Sequence, residues 1–171
     1  MKTSKKLFAI LLALCLFCSL SLPAFAVNAQ YGTTKSFLKV LDREKHKYNY
    51  LGIDEDDDEQ VNVSFVGDNM DKIEVKIFFD EDLEMVVLRS WRVIKFQKAD
   101  LAKVLKLVNE LNNNYKFVKF VVDEDDLSVD AKVDCPLRDD ANAGEIAYDG
   151  LYYIVKIVDQ AYPELKPFAA K

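Results

Sequence analysis

The chain is 171 residues long, half of them hydrophobic and 30% charged, with 29 acidic against 23 basic side chains and a net charge of −6 at pH 7. That length suits one domain with a moderate core, and the acidic balance excludes general nucleic-acid binding, which needs a basic surface. One histidine excludes two-histidine zinc motifs, and three cysteines, two of them in the opening segment, exclude a thiolate-rich zinc site.

Residues 1–26 open with Lys2, Lys5 and Lys6, run through an apolar stretch over 7–20 and close on Ala24-Phe25-Ala26, the pattern of a secretory signal with a small-residue cleavage site. Cleavage removes three lysines and no acids, leaving residues 27–171 with 20 basic and 29 acidic side chains, a net charge of −9. The expected mature protein is secreted or held at the exterior of the envelope, and meets the membrane only through the signal before cleavage. The apolar stretch is short for a membrane span and no basic stop follows it, which ranks an uncleaved anchor second. Cys15 and Cys18 lack the small preceding residue that lipid attachment requires. Cys135 then stands alone and closes no internal disulfide.

In the mature chain, Thr33 and Thr34 are suited to cap a helix whose Phe37, Val40 and Leu41 share a face, with an end expected near His46. Residues 48–53 read as a short strand, and the acidic run 54–59 as a solvated loop kept open by like-charge repulsion. Val61, Val63 and Phe65 alternate, Gly67-Asp68-Asn69 supplies turn chemistry, and Ile73, Val75, Ile77 and Phe79 alternate with Glu74, Lys76 and Phe78. A turn at Asp80-Glu81-Asp82 leads to Leu83, Met85, Val87, Trp91 and Val93. Val86 and Leu88 between them predict a sheet covered on both faces, with Trp91 in the core.

From 98 to 135 the repeat changes. Leu101, Val104, Leu105, Val108 and Leu111 fall on one helical face, and Asn112, Asn113 and Asn114 are residue types that tolerate a left-handed helix stop. Beyond them the period is two, with Leu127, Val129, Ala131, Val133 and Cys135 alternating against Ser128, Asp130, Lys132 and Asp134, so a helix feeds a hairpin. Residues 136–141 cross back over the surface. Asn142 and Glu145 have the spacing of a capping pair for a last helix that buries Leu151, Ile154, Val155, Val158 and Tyr162 and ends at Pro163. Gly150 within that helix costs about 1 kcal/mol against alanine, which points to a close backbone contact. The predicted order α-β-β-β-β-α-β-β-α makes an α+β fold, an antiparallel sheet packed with helices.

Four stretches carry a family resemblance: Asn109-Glu110-Leu111-Asn112, Lys116-Phe117-Val118-Lys119-Phe120, Asp123-Glu124-Asp125-Asp126 and Val158-Asp159-Gln160-Ala161-Tyr162-Pro163. In this order the chain resembles the YbjN family of bacterial sensory transduction regulators over residues 34–168. The resemblance implies a fold like that of the type III secretion chaperones, a non-enzymatic regulatory or chaperone-like role, and a homodimer, since such chaperones commonly pair. Family members are typically cytoplasmic, so the export signal departs from the pattern and argues against an intracellular role.

Charge is unevenly spread, because Arg89, Arg92, Lys95, Lys98, Lys103, Lys106, Lys116 and Lys119 outnumber Asp100 and Glu110 between residues 89 and 119. Arg89, Arg92, Lys95, Lys103 and Lys106, with Asn109 and Asn112 on one helix face, are the candidate contacts for an acidic partner; the competing reading is an ordinary polar face. For Asn109 and Asn112 the favoured reading is structural, amides that satisfy the backbone of the adjacent strand and close the helix. The acidic stretches 54–59 and 123–126 lack the alternating acids and mid-loop glycine of a preformed calcium loop. His46, flanked by Lys45 and Lys47, reads as exposed and has no nucleophile motif, and Cys135 reads as an inert buried thiol. No catalytic residue, cofactor or metal is expected. The leading expectation is a secreted interaction domain for an unknown protein partner, and the alternative is an extracellular module for a small ligand or calcium.

Overall fold

The computed structural model describes residues 28–80, 85–137 and 140–170. Helix α1 (Gly32–Arg43) precedes strands β1 (Tyr48–Ile53), β2 (Glu59–Phe65), β3 (Ile73–Phe79) and β4 (Met85–Lys95). A short 3-10 turn leads into α2 (Leu101–Asn114), then β5 (Lys119–Asp123), β6 (Ser128–Pro136) and the long α3 (Asp140–Leu165). All strand pairs are antiparallel in one six-stranded sheet of order β1-β2-β3-β4-β6-β5, so the chain is α+β with the predicted order of elements. The segment read as an export signal and the expected turn at Glu81 and Asp82, with Leu83, lie outside the described residues.

The two-residue alternation sets the faces. Val61 and Val63 stand opposite Ile77 and Val75, Ile77 opposite Leu88, and Leu88 opposite Val133, all on one side of the sheet and all buried. Onto that side pack α1 and α3, which also cross each other, while α2 packs on β5. Phe37 of α1 meets Phe79 of β3 at 5.5 Å between ring centroids, and burying a side chain of this size contributes about 1.5–3 kcal/mol. Two glycines let α3 come close. A Cβ at Gly144 would lie 2.6 Å from the Ser36 carbonyl of α1, and one at Gly150 would lie 3.0 Å from Leu88 and 3.1 Å from Cys135, the close contact the sequence led us to expect.

Asp159 ties α3 to the β2–β3 turn. Its carboxylate, nearly buried, accepts the backbone N–H groups of Asp68 (3.1 Å), Asn69 (2.9 Å) and Met70 (3.0 Å). Gly67 is obligatory beside it, since any side chain there would collide with the carboxylate. Pro163, four residues on, has no N–H to offer the Asp159 carbonyl, and the Asn69 side-chain amide takes that oxygen instead at 3.1 Å. Burial alone would raise the Asp159 pKa, but the N–H bonds outweigh it and hold the group below the usual carboxylate range.

A second buried carboxylate opens α1. Glu59, the first residue of β2, accepts the N–H of Gln30 (2.6 Å) and Tyr31 (3.0 Å) and the hydroxyl of Tyr50. A negative group at a helix N-terminus also opposes the helix dipole. Burial acts to raise its pKa, and these bonds override it, so Glu59 too sits below its ordinary value.

Several expectations are corrected. Thr33 and Thr34 do not cap α1: they lie inside it, buried, the Thr33 hydroxyl lacking a hydrogen-bond partner among the described residues and the Thr34 hydroxyl lying against Glu59, whose pKa it helps to lower. Glu59 is therefore not part of a solvated loop. The remaining acids of that run are ordered as well, since Asp54 accepts the N–H of Asp56 and of Asp58, each at 3.0 Å. None of Asn112, Asn113 and Asn114 is left-handed; the positive φ, +69°, falls on Phe117 in the following turn. Leu105 faces solvent, and Leu127, at φ +52°, belongs to the β5–β6 turn. Asn142 lies within α3 because the helix starts at Asp140, and its expected capping partner Glu145 forms a two-point ion pair with Arg43. Pro163 does not end α3, which continues to Leu165. The expected cover on both faces is not seen: among the described residues the helices pack on one side, and Trp91 stands 49% exposed on the other.

Candidate functional site: the open sheet face

Register places a row of basic residues straight across the uncovered face. Lys76 of β3 lies opposite Arg89 of β4, Arg89 opposite Lys132 of β6, and Lys132 opposite Lys119 of β5. Neighbouring strands are about 4.8 Å apart, so four cations follow one another at that spacing, an arrangement that costs stability unless something offsets it. Arg89 is offset: its Nη1 bonds Asp134 and the carbonyls of Leu88 (2.9 Å) and Val133 (3.2 Å). Lys76 is held by aromatic faces, its Nζ 5.2 Å from the Phe78 ring centroid and 5.9 Å from that of Trp91, and the two rings meet edge to face at 5.8 Å. Lys119 and Lys132 have no carboxylate partner among the described residues. Met85 and Val121 add exposed apolar surface at either side.

A bulge in β4 between Ser90 and Ile94 shapes the rim. It puts Arg92 at φ +55°, held by its N–H on the buried Asp130 carboxylate at 2.9 Å. Its side chain and that of Lys95 converge on Asp126, at 2.7 and 2.8 Å, and the Arg92 bond above all pulls the Asp126 pKa down to about 2. The acidic turn is thus a structural hub. Asp123 orders it by accepting the N–H of Asp125 and Asp126, and a cleft of about 350 Å³ lies between it and Trp91.

The contacts expected from sequence divide between two surfaces. Arg89 belongs to the row, and Arg92 and Lys95 to its rim. Lys103 and Lys106 lie on the outside of α2, paired with Asp100 at 2.8 Å and with Glu110 at 3.9 Å, and Asn109 is exposed on the same helix. Asn112 is structural. Its amide gives a hydrogen bond to the Phe120 carbonyl (2.9 Å) and takes one from the Phe120 N–H (2.8 Å), satisfying the edge of β5. Lys76, Lys132 and Phe78 escaped the sequence reading. Their shared strand parity was visible, but the pairing of β4 with β6, which aligns them, skips β5 and α2 in sequence.

His46 and Cys135 line two further clefts. His46 is half-buried rather than exposed, its Nε2 3.0 Å from the Tyr148 hydroxyl and its ring edge-on to Phe65, in a cleft of about 180 Å³ lined otherwise by Leu151, Tyr152, Val155 and Lys156. Burial, with Asp134 and Asp149 nearby, pushes the Cys135 thiol up, away from the thiolate form. Among the described residues no three of His, Cys, Asp and Glu converge to hold a metal ion, and no helix is long and apolar enough to cross a membrane.

Compared with known families, residues 33–166 match the model of YbjN, described as "Putative bacterial sensory transduction regulator". The chain belongs to the YbjN family. No curated protein and no solved structure matches it. Within this YbjN domain, the four stretches that carried the resemblance acquire physical roles: Asn112 closes the edge of β5, Phe117 turns the chain into it, Asp126 binds the β4 bulge, and Asp159 with Pro163 clamps the β2–β3 turn. The family places the chain among regulatory or interaction domains.

Proposed function

We propose that this YbjN domain is an exported, non-enzymatic interaction domain that recognises an acidic protein partner on the open face of its sheet. One observation carries the reading: Lys119 and Lys132, without a carboxylate partner among the described residues, continue the row of Lys76 and Arg89 beside the half-buried Phe78 and the exposed Trp91 on a chain that is otherwise acidic. Exposed aromatic area and cations without partners are the features that anchor and steer a protein contact. The pattern of residues 1–26 supports the export part of the reading, and membership of a family of regulatory domains supports the non-enzymatic part.

The test is site-specific photo-crosslinking in cells from position 121 on the sheet face, with position 106 on α2 as comparison. The expected result is a reproducible partner from position 121 alone, its yield falling at least about tenfold when Lys119→Glu and Lys132→Glu are combined. Equal capture from both positions, or indifference to the charge reversal, would overturn the reading. The small-ligand alternative rests on an apolar cleft of about 290 Å³ lined by Phe117, Val133, Cys135, Ile146 and Tyr153. A rise in melting temperature with an apolar probe, abolished by Phe117→Ala, would favour it.

A further inference from the structure

On the helix-bearing side of the sheet, the end of α1, the end of β2 and the middle of α3 meet around a cleft of about 180 Å³. Lys45, at φ +60°, closes α1: its N–H bonds the Asp42 carbonyl (3.1 Å), and the N–H of His46 bonds the Leu41 carbonyl (2.9 Å), a helix end built on one left-handed residue. That end delivers the His46 ring between Phe65 and Tyr148, with centroids 5.2 Å and 5.8 Å away. Phe65 ends β2 with the parity of Val61 and Val63, which face the helices. The third wall is α3, where Tyr148, Leu151, Tyr152, Val155 and Lys156 recur at the spacing of one helical face. His46 Nε2 and the Tyr148 hydroxyl bond each other at 3.0 Å, so the walls present mainly rings and aliphatic carbon.

One cation stands at the mouth. Lys156 lies over the Tyr152 ring, its Nζ 5.5 Å from the centroid, and forms no ion pair among the described residues. It also lines the adjoining cleft toward the β2–β3 turn, where Asp159 is engaged by the backbone N–H groups of the turn and Asp68 is exposed to solvent. We infer that the cleft binds a small aromatic carboxylate, its ring among Phe65, Tyr148, Leu151 and Val155 and its carboxylate on the Lys156 ammonium. An apolar cavity of about 150 Å³ accepts a benzene ring, so this cleft has room for one ring and little more. Rings pack well edge-on or offset against other rings, and His46, Phe65 and Tyr148 offer such surfaces together. An ammonium without a carboxylate partner, at the edge of an apolar pocket, favours an anionic end over a neutral one. The cleft lies across the sheet from the partner-binding face, and either reading can fail without the other.

The test is a titration of the isotope-labelled chain followed by NMR, with phenylacetate, its neutral counterpart phenylacetamide, and acetate as probes. A probe this small is expected to bind with a Kd of about 1 mM. Phenylacetate should give saturable shifts at the amides of Phe65, Tyr152 and Lys156, phenylacetamide should bind about fivefold more weakly, and acetate should leave these amides unmoved. The preference for the acid should narrow as salt is added. Lys156→Gln, an exposed change, should bring phenylacetate down to the affinity of phenylacetamide and leave phenylacetamide unchanged, which a merely structural lysine would not do. Val155→Phe, which occupies the place of the ring, should abolish binding of both. Absence of saturable shifts at the cleft, or a Lys156→Gln chain that still prefers the acid, would overturn the assignment. Equal affinity for acid and amide would overturn it too, leaving a cleft for a neutral ring such as a side chain of a partner protein.

Discussion

Removing the Asp159 carboxylate is the sharpest test of how this fold is held. Three backbone N–H bonds end on it, at 2.9–3.1 Å, along with a fourth from the Asn69 amide at 3.2 Å. A hydrogen bond to a charged group contributes about 1.5–3 kcal/mol, but Asp68 and Asn69 are exposed and regain water once released, so Asp159→Ala should lose about 3 kcal/mol in all. Urea unfolding at pH 7 measures the loss as a lower midpoint with an unchanged slope. The pH dependence follows from the lowered pKa. A carboxylate bound more strongly in the folded state adds stability that is complete above its unfolded pKa of about 3.9 and is lost as pH falls through the folded value. The gap between wild type and Asp159→Asn should therefore be wide at pH 7 and close progressively below about pH 4. A loss under about 1 kcal/mol, or a gap that stays constant down to pH 2, would refute the clamp.

Glu59→Gln should cost about 2 kcal/mol by the same logic at the start of α1, with the same loss of effect in acid, read from urea midpoints at neutral and low pH. The Tyr50 hydroxyl, pushed up to about 12 by burial and then by its bond to Glu59, should titrate nearer the ordinary tyrosine range in Glu59→Gln when followed by absorbance. Asn112→Ala should lose about 2 kcal/mol and raise the tendency to aggregate, because two backbone groups on a sheet edge lose their partner; light scattering checks the second effect. Gly144→Ala should destabilise by more than about 2 kcal/mol, since its Cβ meets the Ser36 backbone, whereas Gly150→Ala should cost about 1 kcal/mol, the Leu88 and Cys135 side chains being able to yield. Equal melting temperatures for the two glycine variants would contradict that ranking.

What the sequence disclosed and what it withheld divide along the reach of the interactions. Alternation in residues 73–79 and 128–135 and the helical stripe of Val104, Val108 and Leu111 are local, and they gave the elements and their order. The close approach at Gly150 was legible for the same reason, as a glycine breaking an otherwise good helical pattern. Glu59 and Asp159 were not, because each serves backbone groups 28 or more residues away in sequence, and for Glu59 nothing in its run of acids marks which one will be buried. Trp91 misled because a lone tryptophan in a strand is usually interior, whereas among the described residues no helix packs on its side of the sheet. The basic band was real as composition but not as a surface: α2 carries Lys103 and Lys106 away from Arg89, while β3 and β6 bring in Lys76 and Lys132 from outside the counted segment.

The hold of Asn112 on Phe120 bears on how large any assembly can grow. A sheet with two sticky margins adds molecules without end and becomes a fibre. Here the β5 margin is plugged by a side-chain amide, which withholds from any other chain the two backbone groups through which a further strand would attach there.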